Sequence, residues 1–112
     1  MMIMSILLIS ILDAPEIIST NSSTHIVTLG QELRLHCGYA GVPAPTIQWF
    51  LNSTELTSES REFDGSIIDG GNFTYVQINL LSHGNEGTYT CRATNSLGSD
   101  MASYTVTLSM LH

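Results

Sequence analysis

Basic residues are scarce in this chain of 112 residues. Lysine is absent, and Arg34, Arg61 and Arg92 stand against ten carboxylates, which gives a formal net charge of −7. DNA, RNA, heparin and anionic membrane surfaces bind through clustered positive charge, so the composition argues against these partners. Ser, Thr, Asn and Gly are abundant whereas Lys, Glu and Ala are sparse, and this balance favours strands and turns over helices.

Cysteine is also scarce, since Cys37 and Cys91 are the only two and allow at most one internal disulfide. A reduced buried pair, a metal-binding pair and a disulfide are the alternatives. A metal site is disfavoured because His36 adjoins Cys37, and adjacent side chains on a strand point to opposite faces. We therefore expect neither a metal nor a cofactor.

Three N-x-[ST] sequons, which are acceptor motifs for N-linked glycans, begin at Asn21, Asn52 and Asn72. They favour the secretory route, in which disulfides also persist. Each asparagine falls in a predicted break or turn, so all three are expected to be exposed.

Long apolar runs are limited to residues 1–12, MMIMSILLISIL. This run is too short to span a bilayer, so we expect no direct membrane insertion. One alternative is a signal peptide, although no positive charge precedes the run. The other is that residues 1–13 end the last strand of a preceding, similar domain, because residues 7–12 match residues 106–111 in character.

Apolar and polar residues alternate with the period of a half-buried strand along much of the remaining chain. Leu33, Leu35 and Cys37 face one way, for example, and Arg34 and His36 the other. Glycines and prolines predict a loop at 38–45. Strands are predicted at 16–19, 25–29, 32–39, 46–51, 54–56, 66–68, 73–80, 88–94 and after residue 98. So many short strands indicate an antiparallel sandwich.

Catalytic groups are not arranged for chemistry in this pattern. Ser82 and His83 are neighbours and would not point at each other on a strand, and the segment is expected to be a loop. The acids Glu59, Glu62 and Asp64 are expected to form a solvated loop. The sequence therefore predicts that the chain is not an enzyme.

Several stretches resemble an immunoglobulin domain of the intermediate (I-set) type. They are GVPAPTIQW at 41–49, VQI at 76–78, GTYTC at 87–91 and CRATNSLG at 91–98. The resemblance covers residues 14–109 and leaves 110–112 as a tail. It is specific for the fold, whereas the family's members include adhesion molecules, receptor ectodomains, matrix proteins and intracellular muscle proteins.

The resemblance implies an all-β fold, a two-sheet antiparallel Greek-key sandwich with one inter-sheet disulfide between Cys37 and Cys91. Trp49 would pack against this disulfide, and the hydroxyl of Tyr89 would bond to the backbone at the corner before its strand. All four residues are expected to be structural.

One position departs from the family pattern. Asn85 stands where the family usually has an Asp paired with an Arg, and Arg61 occupies the place of that Arg. The charge pair is expected to be lost or to move to Glu86, at a cost of about 1 kcal/mol.

The resemblance implies an extracellular protein-interaction module of a cell-adhesion, receptor or matrix protein, in which other immunoglobulin domains are among the expected partners, by homophilic or heterophilic contact. A structural module of an intracellular muscle or cytoskeletal protein and a small secreted single-domain protein are the alternatives. If all three sequons carry glycans, the chain ends and the face formed by strands C (46–51), F (88–94) and G (after residue 98) are left for protein contacts.

Overall fold

The computed structural model describes residues 12–21, 23–28, 30–57, 65–78 and 83–109. Most of the apolar N-terminal run, the tail at 110–112 and the acidic segment at 58–64 lie outside the described residues. The assignments made for the two chain ends and the predicted pairing of Arg61 therefore stay predictions.

Two β-sheets form a sandwich within the described part of the chain. The strands are β1 (Asp13–Thr20), β2 (Thr24–Thr28), β3 (Leu33–Val42), β4 (Thr46–Leu51), β5 (Thr54–Leu56), β6 (Gly65–Asp69), β7 (Phe73–Ile78), β8 (Gly87–Asn95) and β9 (Gly98–Ser109), with a 3₁₀ turn at His83–Asn85. One sheet has the order β1-β3-β7-β6 and the other β2-β9-β8-β4-β5. The predicted all-β sandwich is confirmed.

Strand pairing is antiparallel except where β2 runs parallel to β9. Strand β1 lies at the edge of the first sheet beside β3, and β2 lies at the edge of the second sheet beside β9.

The loop predicted at 38–45 is partly wrong, because β3 continues to Val42. Strand β1 begins at Asp13 and pairs with this extension, placing Asp13 opposite Val42 and Glu16 opposite Ala40. Gly38 lets β1 lie close to β3, since a Cβ on this residue would lie 2.2 Å from Oγ of Ser19. The glycines and prolines at 38–45 do not indicate that this segment pairs with β1, which is distant in the sequence.

The core lies between the sheets and follows the alternation along the strands. Among the described residues, its side chains other than those of the cysteines are Leu33, Leu35, Trp49, Leu51, Leu56, Val76, Ile78, Tyr89, Tyr104, Val106 and Leu108. Because alternate residues of each strand fill this layer, the intervening residues point outward.

Candidate protein-interaction face

The Cys37–Cys91 disulfide joins β3 of one sheet to β8 of the other, with 6.7 Å between the Cα atoms. Both cysteines are fully buried, and Trp49 is only 1% exposed. Trp49 lies opposite Cys91 in the register of β4 and β8, and its ring centroid is 5.8 Å from that of Tyr104. These side chains face the interior and offer nothing to a ligand.

Tyr89 lies in the core beside this cross-link. Its hydroxyl donates a 2.7 Å hydrogen bond to the backbone oxygen of Asn85, and burial raises the pKa of Tyr89 to about 12. Asn85 is itself 1% exposed, so its side chain lies inside the corner before β8. The carboxylate of Glu86 accepts a 2.7 Å hydrogen bond from the backbone N–H of Leu108.

Outward-facing residues of β4, β8 and β9 form a continuous surface, which we call the C–F–G face. Phe50 lies opposite Thr90, and Thr90 opposite Ser103. Gln48 lies opposite Arg92, and Arg92 opposite Met101. The two cross-strand rows therefore place aromatic, aliphatic, hydroxyl and guanidinium groups side by side.

A depression of about 310 Å³ lies on the C–F–G face beside the turn between β4 and β5. Its lining consists of Phe50, Asn52, Ser53, Thr88, Thr90, Arg92 and Met101. Asn52 and Ser53 form its rim and have φ angles of 50° and 73°, the left-handed values of a two-residue hairpin turn.

Arg92 gives this surface its charge. Its Nε is buried and has no hydrogen-bond partner among the described residues. Arg34, on the other sheet, instead donates to Gln77 Oε1 at 2.8 Å, and its guanidinium lies 4.4 Å from the centroid of the Tyr75 ring. Arg92 is thus a half-buried cation on this face of a strongly acidic chain.

Exposed apolar area flanks this cation. Met101 is 56% exposed and Phe50 is half-buried. The sequence left the C–F–G face and the chain ends for contacts if the three sequons carry glycans, but it did not identify Phe50, Arg92 and Met101. Their outward direction follows from the alternation around Trp49 and Cys91, whereas their proximity depends on the register of three separate strands.

The three sequon asparagines lie at exposed positions between strands. Asn21 follows β1, Asn52 is in the β4–β5 turn, and Asn72 is in the β6–β7 turn. Whether they carry glycans stays a prediction.

Two other kinds of feature are absent from the described residues. Their His, Cys, Asp and Glu side chains form no cluster of three or more that would hold a metal ion. None of the helical segments described has the length and apolar character needed to cross a membrane.

The geometry defines a two-sheet sandwich with a buried disulfide and a mixed polar–apolar outer face. Residues 14–95 match the family model of the immunoglobulin domain, and the chain belongs to that family.

Among relatives, the chain is 41% identical to rat neural cell adhesion molecule L1 over 90 residues, which are 80% of this chain and 7% of that protein. It is 39% identical to rat vascular endothelial growth factor receptor 1 over 78% of this chain and 6% of the receptor. It is also 39% identical to the titin homolog of Caenorhabditis elegans over 60% of this chain, which is a share of that very long protein that rounds to 0%. The chain thus spans only a small part of these relatives.

Solved structures of titin domains share the fold. The titin domains Z1Z2 in complex with telethonin match with a TM-score of 0.79 at 22% identity, over 88% of this chain and 48% of that chain. The titin M4 domain matches with a TM-score of 0.77 at 22% identity, over 88% of this chain and 98% of that chain.

Proposed function

We propose that this domain is a non-catalytic module that binds another protein outside the cell, within a cell-adhesion, receptor or matrix protein. The observation that carries the proposal is the depression on the C–F–G face, which the cationic Arg92 lines together with the exposed Met101 and the half-buried Phe50. The similarity to L1, a cell adhesion molecule, and to a growth factor receptor supports the same class of role.

The C–F–G face suits a protein partner for a physical reason. Arg92 is half-buried, and a partner that brings a carboxylate or carbonyl oxygen to its guanidinium gains a hydrogen bond. A charge-assisted hydrogen bond of this kind is also stronger than a neutral one. Phe50 and Met101 add apolar area around it, and Arg and aromatic residues often provide the binding energy of protein interfaces.

The compartment is proposed from the covalent structure. The fully buried disulfide between Cys37 and Cys91 fits an oxidising environment, and the sequons make the domain a glycoprotein there. Other proteins, including other immunoglobulin domains, are the proposed partners.

Photocrosslinking tests the binding face. A benzophenone amino acid is placed at Met101, or as a matched control at the exposed Ser66 on the opposite sheet, and the domain is added to intact cells that produce the native protein. We expect a crosslink to an extracellular protein from position 101 only, and loss of this crosslink in Arg92→Glu. Equal crosslinking from both positions, or crosslinking unaffected by Arg92→Glu, would contradict the proposal.

A second candidate is a structural module of an intracellular protein, which the similarity to the C. elegans titin homolog favours. Thiol alkylation of the native protein, denatured without reductant, separates the two. No alkylation of Cys37 and Cys91 supports the extracellular role, whereas alkylation of both supports the intracellular one.

A further inference from the structure

The C–F–G face and the adjoining strand β5 carry one base and one acid on the same surface. We propose that the partner of this face is the same face of a second copy of the chain, held by two reciprocal contacts between Arg92 and Glu55. This inference rests on the proposed function and specifies its partner.

Acidic residues are placed away from this face, although the chain has ten carboxylates. Asp13 and Glu16 lie on β1 and Asp69 on β6, all in the first sheet. Asp100 is on β9 but is directed towards β1, because its Oδ2 accepts a 2.8 Å hydrogen bond from the backbone N–H of Ile17. Two copies can therefore bring these faces together without opposing these carboxylates, whose repulsion would cost several kcal/mol.

Glu55 is the one acid that points outward among the residues described on β4, β5, β8 and β9. It is exposed and lies opposite Phe50, which lies opposite Thr90 of β8. Arg92 is two residues further along β8, opposite Gln48. Strand β4 thus separates the two charges, and ordinary strand spacings put their Cα atoms about 12 Å apart.

Two-fold symmetry makes this surface complementary to itself. An axis in the plane between two facing copies, over β4 and midway between the two charges, exchanges their positions. Arg92 of each copy then faces Glu55 of the other, and both contacts form at once. Phe50 lies close to the axis, so the two copies of this side chain lie near each other between the ion pairs. An aromatic centre flanked by Arg is typical of the residues that provide the binding energy of interfaces.

The size of the face sets the strength of the dimer. Four strands at about 4.8 Å and six residues at about 3.4 Å give a flat area of about 400 Å². This is about half of the roughly 800 Å² that each partner contributes to a standard interface. We therefore expect a weak dimer, with a Kd of about 10–100 μM.

Self-association is measured on the whole chain, secreted from mammalian cells behind a heterologous signal sequence. Because Asn52 lies at the rim of the depression, the chain is studied before and after treatment with peptide-N-glycosidase. Sedimentation equilibrium should show monomers and dimers in equilibrium in at least one of the two forms. Monomers alone in both forms, up to the highest soluble concentration, would overturn the proposal.

Charge reversal tests the pairing. Arg92→Glu and Glu55→Arg each turn both ion pairs into like-charge pairs, so each should weaken dimerisation at least about tenfold. An equimolar mixture of the two variants should dimerise again, because each contact then joins opposite charges. The double variant Arg92→Glu/Glu55→Arg keeps the native net charge of −7 and should dimerise as well. A dimer that tolerates the single reversals, or that neither the mixture nor the double variant restores, would refute the reciprocal contacts.

Glu16→Arg is the matched control for Glu55→Arg. It makes the same change of net charge at an exposed position of β1, outside the face, and should leave the Kd unchanged. Equal weakening by both variants would contradict a specific role for Glu55. Thermal unfolding shows that each variant is folded, and dimerisation of the mixture shows it independently.

The result is distinct from that of the proposed function. A chain that stays monomeric but still gives the crosslink from position 101 on cells would refute self-association and leave the proposed function standing. A chain that dimerises but gives no crosslink on cells would do the reverse.

Discussion

The indole Nε1 of Trp49 donates a 3.0 Å hydrogen bond to Oγ1 of Thr74, and this hydroxyl donates at 2.8 Å to the backbone oxygen of Ile68. Trp49 lies opposite Cys91 in the second sheet, and Thr74 lies opposite Cys37 in the first. The disulfide joins β3 to β8, and this hydrogen bond joins the neighbouring strands β7 and β4, so the two links between the sheets are adjacent. One link is covalent, and the other satisfies the only polar group of a buried tryptophan.

Thr74→Val should lower the free energy of unfolding by about 1–3 kcal/mol, because it leaves the buried Trp49 N–H without an acceptor. Thr74→Ser keeps the hydroxyl and serves as the control, with a smaller loss. Urea unfolding followed by the fluorescence of Trp49, the only tryptophan, measures both. Equal midpoints for the two variants would show that the hydrogen bond contributes little.

Replacing both Cys37 and Cys91 with Ala should lower the free energy of unfolding by about 4 kcal/mol. The disulfide spans 54 residues, and the estimate follows from the chain entropy that a loop of this length removes from the unfolded state. Urea unfolding of the double variant and of the reduced native chain gives the comparison. A loss below about 1 kcal/mol in both would contradict the entropic estimate.

Tyr89→Phe should cost about 1–3 kcal/mol, because it removes the donor to the Asn85 backbone oxygen at a buried corner. Tyr75→Phe is the matched control, since Tyr75 is only half-buried and packs its ring against Arg34 and Phe73. We expect the control to change stability by less than about 0.5 kcal/mol. Thermal unfolding by circular dichroism measures both, and similar losses in the two would refute a special role for Tyr89.

Alkaline pH should destabilise the domain. Burial raises the pKa of Tyr89 and of Tyr104 from 10.0 to about 12, and burial together with the hydrogen bond to Asp69 does the same for Tyr39. The folded state therefore holds these protons more tightly than the unfolded state. The stabilisation is fully present below pH 10 and is lost as the pH rises through about 12.

Urea midpoints measured from neutral pH to pH 12, together with tyrosinate absorbance, follow this loss. Tyr104→Phe removes one of the shifted groups and should make the decline shallower. A stability that stays constant up to pH 12 would contradict the three raised pKa values.

Much of the fold is predictable from sequence, because alternation is a local property. Leu33, Leu35 and Cys37 are recognisable as an inner row without knowledge of the strand that faces them. The extension of β3 to Val42 is not, because it depends on pairing with Asp13, 29 positions earlier in the sequence. Pairing between distant strands has no signature in a short window.

The sequence alone determined the inner face: a period of two along each strand fixes which side chains turn inward, and the pattern around Cys37, Trp49, Tyr89 and Cys91 identifies the family. Only the tertiary structure decided which outer residues meet and which sequon amides are engaged. Asn52 in the β4–β5 turn contacts Thr88 and Gly87 of β8, and Arg92, Phe50 and Met101 from three different strands line one depression. Such contacts depend on strand register and turn geometry, which pair residues that are far apart in the chain.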